Sequence, residues 1–340
     1  MSAPMATASR TTLTLDHRRD AMRMREPFRI SGYLFEAMPA VVVTLGDGAH
    51  RGRGEAAGVY YLGDDPAHME SEIERYRDVI EHKLDRIALQ NLLPPGGARN
   101  ALDCAFWELE SFQQERPVWE LADVGPPRAL VTTFTLPAED PAYLLTRLPG
   151  FAHAKSIKLK LEGDLAADTA RVETVRRARP DAWLSVDANQ GFEAKDLDAL
   201  VQMLVDNRVA MLEQPLRRGA EADLHGWHSP IPVAADESIL DLAELEERGA
   251  LFQVMNIKLD KCGGLTEALE MVALSRRMGL QVMVGNMAGS TLSTAPAFVL
   301  AQLCDFIDLD GPSSLADDPL ADQIYEDGMV MVPAALWGHP

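Results

Sequence analysis

A chain of 340 residues that is 47% hydrophobic and 25% charged has a globular composition, with length for one large barrel plus an accessory unit or for two ordinary domains. A net charge of −20 argues against nucleic acid as a partner, because binding would release no phosphate counterions, and no apolar run approaches the roughly 20 residues that span a bilayer. Three cysteines (Cys104, Cys262 and Cys304) without metal-like spacing, and a start lacking the apolar core of a secretory signal, set the expectation of reduced thiols and a cytoplasmic location.

Residues 1–125 read as a smaller α+β unit. Thr12-Leu13-Thr14-Leu15 alternates like a strand, 28–35 is a second β region, and 40–45 is a third, closed by the Gly46-Asp47-Gly48 turn. A polar segment, 16–26, with Arg18, Arg19, Arg23 and Arg25, separates the first two. Helical patterns over 66–92 and 98–115 flank the breaker Pro94-Pro95-Gly96-Gly97, and Pro126-Pro127 marks a domain junction.

From 126 to 319 the rhythm is regular. Strands are predicted near 130–135, 156–161, 183–188, 209–214, 232–236, 254–258, 281–285 and 306–310, with helical patterns such as 167–179 and 265–278 between them. Eight strands alternating with seven helices predict an α/β fold, a (β/α)7β TIM-type barrel, with the first 125 residues as an N-terminal α+β capping domain. The tail, 320–340, carries the apolar Met329-Val330-Met331-Val332 and is expected to return to the capping domain. A doubly wound open sheet would need a glycine-rich phosphate turn after its first strand, and none is present.

Chemistry in such barrels sits at the C-terminal ends of the strands. The second strand carries Lys158 and Lys160 on one face, with Ile157, Leu159 and Leu161 on the other. Taken alone, a K-x-K pair is more often an aggregation blocker on a sheet edge. Here the next strands end in Asp187, Glu213 and Asp236, each about one β/α unit after the last, and the sixth ends in Lys258. Three carboxylates in phase, with no His or Cys among them, select a hard cation, Mg2+, although any one of them alone would read as a helix cap or surface charge. Strands two and six lie opposite in a ring of eight, so Lys160 and Lys258 are expected to face each other across the metal. A metal-held carboxylate would stabilise the charge formed when its α-carbon loses a proton; one lysine would remove that proton and the other return one to the opposite face. Lysine titrates near 10.4, so a base needs its pKa lowered, and Lys158 and the metal are expected to supply the positive charge for that. On strand eight, Asp308 and Asp310 share the inward face, an acidic pair suited to a substrate ammonium. A carboxylate at one end and an amine at the other describe a dipeptide.

The set Lys158-x-Lys160, Asp187-Ala188-Asn189-Gln190, Glu213-Gln214-Pro215, Asp236-Glu237-Ser238 and Asn256-Ile257-Lys258 with Cys262-Gly263-Gly264 resembles the enolase superfamily, in its muconate-lactonizing-enzyme subgroup, over nearly the whole chain. Asp308-Leu309-Asp310-Gly311-Pro312 is similar to the D-x-D with which dipeptide epimerases hold the substrate ammonium. The resemblance implies an isomerase acting on dipeptides at the α-carbon of the C-terminal residue, through an enediolate. Lys160 and Lys258 become the acid/base pair, Lys158 the electrostatic helper, and Asp187, Glu213 and Asp236 the Mg2+ ligands. Asp308, Asp310, Thr135 and Tyr33 become substrate contacts, an ordinary strand threonine being the equal alternative for Thr135. It implies a lid over 19–33 and, by family habit, a homo-oligomer. Relatives specific for Ala-Glu carry an arginine a few residues after Pro-Phe; here Pro27-Phe28 leads to Tyr33 near that place, and Arg25 or Arg29 is left as a substitute. Other reactions of the subgroup (cycloisomerase, o-succinylbenzoate synthase, N-acylamino acid racemase) remain the alternative, with a non-catalytic barrel behind them.

Overall fold

The computed structural model describes residues 12–30 and 33–340. The chain begins with an antiparallel meander, β1 (Thr14–Ile30), β2 (Tyr33–Gly46) and β3 (Arg51–Ala56). Ala40, Val41, Val42 and Val43 of β2 are buried, and helices α1 (Pro66–Arg75), α2 (Arg77–Lys83), α3 (Arg86–Leu92) and α4 (Gly97–Gln114) cover the sheet. Two sequence expectations change here. The polar stretch 16–26 is not a connection but part of β1, because β2 supplies its backbone partners while its arginines stay at the solvent edge. The region 28–35, expected as one strand, is the far end of this hairpin, where Phe28 pairs with Phe35 and Ile30 with Tyr33. The single helical pattern over 66–92 is three helices: Tyr76 breaks the first, and Asp85 caps the third by accepting from the Ala88 amide at 2.8 Å.

A short strand, β4 (Leu130–Val131), precedes eight parallel strands: β5 (Thr133–Leu136), β6 (Ser156–Lys160), β7 (Trp183–Asp187), β8 (Met211–Glu213), β9 (Val233–Ala235), β10 (Val254–Lys258), β11 (Gln281–Gly285) and β12 (Phe306–Asp308). They are hydrogen-bonded in sequence order, and the gap between β12 and β5 is bridged by the Leu309 amide donating to Thr132 Oγ1 at 3.0 Å. The TIM-type barrel with an N-terminal α+β unit is thus the observed architecture. One crossover departs from the expected helix: between β8 and β9 only a 3-10 turn forms, Glu221–Leu224, in a stretch broken by Pro215, Gly219, Gly226, Pro230 and Pro232.

Period-two alternation divides each strand between two environments. Ile157 and Leu159 of β6, and Leu184 and Val186 of β7, point outward into the layer under the helices. Met211, Ala234, Val254 and Met283 pack inside, with Trp183 stacked on Phe306 at 5.4 Å. The inward positions above this plug are polar. After β12, β13 (Tyr325–Glu326) pairs antiparallel with β14 (Met329–Val330), which in turn pairs antiparallel with β4. The last residues reach the first sheet, where Trp337 Nε1 donates to the Arg53 carbonyl at 2.9 Å. Among the described residues no helix is long and apolar enough to cross a membrane.

Candidate active site

Of five consecutive barrel strands, β6 to β10, four end in a charged side chain and β9 is followed directly by one, Asp236. Register pairs Lys160 with Asp187 and Asp187 with Glu213, and Glu213 sits opposite Ala234, two residues before Asp236. Lys258 ends the next strand. The arc therefore runs Lys160, Asp187, Glu213, Asp236, Lys258. One oxygen from each carboxylate lies within 4.8 Å of those of the others, and all three residues are buried.

Each carboxylate has one oxygen fixed by a neighbour outside the cluster. Asp187 Oδ1 accepts from the Asn189 amide at 2.8 Å, Glu213 Oε1 from Asn256 Nδ2 at 2.7 Å, and Asp236 Oδ1 from Lys261 Nζ at 2.7 Å. The second oxygens face the lysines. Asp187 Oδ2 accepts from Lys160 Nζ at 2.6 Å and Asp236 Oδ2 from Lys258 Nζ at 2.7 Å, while Glu213 Oε2 accepts no hydrogen bond, with Lys158 Nζ 3.5 Å away. An orphaned buried carboxylate oxygen between two others is a donor set that fits a hard divalent ion, and the outer hydrogen bonds orient it. Gly285 leaves room for this packing: a Cβ there would stand 2.8 Å from Asn256 Oδ1 and 3.2 Å from Lys258 Cε.

Electrostatics in the cluster follow from like charges in a dry place. Burial, then the Asp187 charge, pushes Glu213 up to about 7; burial, then Asp236, pushes Glu237 up to about 8. Asp236 moves the other way: burial would raise it, but Lys258 and Lys261 hold it well below the ordinary range. Burial likewise works to lower Lys158 and Lys258, yet the carboxylates outweigh it. Asp308, Glu213 and Asp187 raise the first, and Asp236 and Glu213 the second, well above 10.5. This is opposite to the lowering expected of a catalytic lysine: Lys158 and Lys258 do repel each other, but the carboxylates around each outweigh it.

Asp308 and Asp310 both line the cavity, but differently from expectation. Strand β12 stops at Asp308, whose carboxylate is ion-paired with Lys158. Asp310 lies beyond the strand, with helical backbone angles, and reaches the cavity from the turn; its Oδ2 accepts from the Thr135 amide at 2.7 Å. Burial, then the Asp308 charge, pushes Asp310 up to about 6. Thr135 lines the same cavity. The Tyr33 and Arg29 side chains lie outside the described part of the structure. Arg25 does not face the cavity; it is committed to the Leu315 carbonyl at 2.9 Å and Asp322 at 2.6 Å. The hairpin instead presents Met24, Phe35 and Met38, facing Met287 and Ala288.

Several site residues were given no role from sequence. Asn256 shares the inward face of β10 with Lys258, two positions away, so strand periodicity could have found it. Lys261 follows the strand in a helical turn, where its ammonium is enclosed by Asp236, Ile239 and Asn256; nothing in the local pattern marks it. Tyr60 and Tyr61 come from the first 125 residues to line the mouth, a contact no local signal encodes.

Comparison with known proteins agrees with this geometry. Residues 148–336 match the family described as enolase C-terminal domain-like. An L-Ala-D/L-Glu epimerase of Escherichia coli (strain K12) is 36% identical over 301 residues, covering 88% of this chain and 93% of that protein. An enolase family member from Agrobacterium tumefaciens with homology to dipeptide epimerases, solved with sodium and L-Ala-L-Glu, has a TM-score of 0.88 and 34% identity over 96% of this chain and 100% of that one. A dipeptide epimerase from Methylococcus capsulatus, complexed with Mg and L-Arg-D-Lys, has a TM-score of 0.86 and 25% identity over 95% of this chain and 97% of that one.

Proposed function

With its membership of the enolase superfamily as premise, we propose that this chain is an isomerase that epimerises dipeptides at the α-carbon of the C-terminal residue by two-lysine proton transfer. The observation that carries the reading is the order Lys160, Asp187, Glu213, Asp236, Lys258 along consecutive strands, with an amine at each end of the carboxylate arc.

In this reading Asp187, Glu213 and Asp236 hold Mg2+, which supplies Lewis-acid stabilisation of the carboxylate whose α-carbon is deprotonated. Lys160 and Lys258 reach that α-carbon from the two ends of the arc. One takes the proton from the first face and the other delivers a proton to the second, so the configuration inverts. In the structure both ammoniums are hydrogen-bonded to triad carboxylates. Neutralising those carboxylates removes the charge that holds Lys258 protonated, and so moves it toward the range where it serves as a base. Lys158, buried between β6 and the acidic pair, keeps positive charge beside the developing enediolate. Asp310, with Asp308 behind it, receives the substrate ammonium, and Thr135 meets the peptide.

The test is solvent exchange. Pools of L,L-dipeptides incubated with the protein and Mg2+ in D2O are expected to gain deuterium at the C-terminal α-carbon and to yield L,D products; no exchange on any dipeptide rejects the proposal. One observation favours a second reading. Lys158 already neutralises Asp308, so one acid of the pair is taken, and a subgroup reaction on a carboxylate without an amine is the competitor.

A further inference from the structure

Glu237 takes no part in the scheme above, yet it is built into the same cavity. It follows Asp236 directly and lines the pocket with Lys160, Lys258 and Asn189. The residue is 6% exposed, and no protein group donates a hydrogen bond to its Oε2. Buried polar oxygens almost always have a partner, so an exception held in place calls for one. Held in place it is. Gln214 Oε1 accepts from the amides on both sides, Asp236 at 3.0 Å and Ser238 at 3.1 Å, and the Glu237 carbonyl accepts from Arg218 Nη1 at 2.8 Å. The main chain is fixed on three sides, and the side chain it carries lines the cavity.

Its distance decides what that carboxylate does. Oxygens of Asp187, Glu213 and Asp236 fall within 4.8 Å of one another, and Glu237 does not join that set. Direct ligation is therefore not its task. Three protein carboxylates fill half of an octahedral Mg2+ shell, and such ions keep water in the positions that substrate does not take. A carboxylate one residue past a ligand, outside the ligand ring but inside the cavity, is placed to accept hydrogen bonds from such a water. We propose that Glu237 is an outer-sphere positioning residue that anchors a water of the triad-bound Mg2+ and so sets the affinity of the site for the ion. The proposal rests on the triad being the Mg2+ site, as in the reading above, and not on the identity of the substrate.

The experiment titrates the metal-free protein with Mg2+ by calorimetry, with Mn2+ and electron paramagnetic resonance as a second readout, no dipeptide being present. Glu237→Gln and Glu237→Asp are compared with wild type, and each is melted without metal. Loss of an outer-sphere partner typically weakens metal binding about 10- to 100-fold. That loss is expected for Glu237→Gln, with partial recovery in Glu237→Asp and metal-free melting temperatures no lower than wild type. Binding within twofold of wild type in both variants would overturn the proposal. So would weakened binding accompanied by a lowered metal-free melting temperature, which makes the role structural, or a wild type that binds no Mg2+. A protein that binds Mg2+ but exchanges no dipeptide α-proton refutes the dipeptide reading and leaves this one intact.

Discussion

Lys160 and Lys258 hydrogen-bond different carboxylates of one buried triad, Nζ to Asp187 Oδ2 at 2.6 Å and Nζ to Asp236 Oδ2 at 2.7 Å, so two amines bracket a site suited to a cation. On the proposed reading each lysine serves a separate face of the α-carbon held at the triad. Lys160→Ala and Lys258→Ala are each expected to cut epimerisation on the order of 10²–10⁴-fold. They differ in exchange: each variant loses the α-proton exchange of one epimer and keeps that of the other. Mass spectrometry of L,L- and L,D-dipeptides in D2O reads this, and both variants losing the same epimer would rule out two bases.

Asp310 is the acid left for a substrate ammonium once Lys158 has taken Asp308. Asp310→Asn removes a charged hydrogen bond, about 1.5–3 kcal/mol, or roughly 10- to 150-fold in kcat/KM. The loss should fall on substrates with a free amine and spare their N-acetyl counterparts. Equal losses on both would favour the amine-independent competitor.

The hairpin wall is apolar, from Met24, Phe35 and Met38, and the cations among the described lining residues are the three paired lysines. A side-chain carboxylate placed there would be desolvated without a partner. Dipeptides with an apolar C-terminal residue are expected to exceed the Glu analogue at least about tenfold in kcat/KM. A panel assay with Glu as the best substrate contradicts this.

Metal-free protein should lose stability as pH rises from about 5 to about 8. Over that window Glu213 (to about 7), Glu237 (to about 8), Asp260 (to about 7) and Asp310 (to about 6) all titrate higher folded than unfolded. The native state thus holds more protons than the unfolded chain, which favours it at the acid end and fades as pH passes the folded values. The depressed Asp236 and the raised Lys158 and Lys258 titrate outside the window and stay constant across it. On the proposed reading Mg2+ binds the native state, so it should raise the melting temperature more at pH 8 than at pH 5. Calorimetric melts with EDTA or Mg2+ at both pH values check the slope and its reversal.

Arg99 ties α4 to the barrel, donating to the carbonyls of Cys262 at 2.5 Å and Gly263 at 3.3 Å and pairing with Glu267. Arg99→Ala strands buried acceptors and a charge, a loss of about 3–5 kcal/mol in urea unfolding. A loss under about 1 kcal/mol would mean that the sheet-and-helix unit docks by apolar contact alone.

What the sequence determined by itself is what local geometry encodes. Side chains alternate along a strand whatever surrounds it, so Lys158, Lys160, Asp187, Glu213 and Lys258 could be placed on inward faces, and Asp236 at a strand end, from periodicity and spacing. Tertiary structure decided everything that depends on two distant segments meeting. Lys158 and Asp308 are 150 residues apart, and only closure of the barrel makes them an ion pair that alters both the lysine's titration and the acid's availability. Asp310 leaves the strand before alternation could place it. Lys261 is captured by carbonyls that come together only above the finished strands. The polar stretch 16–26 becomes a strand because β2 offers it partners, a preference absent from its own side chains.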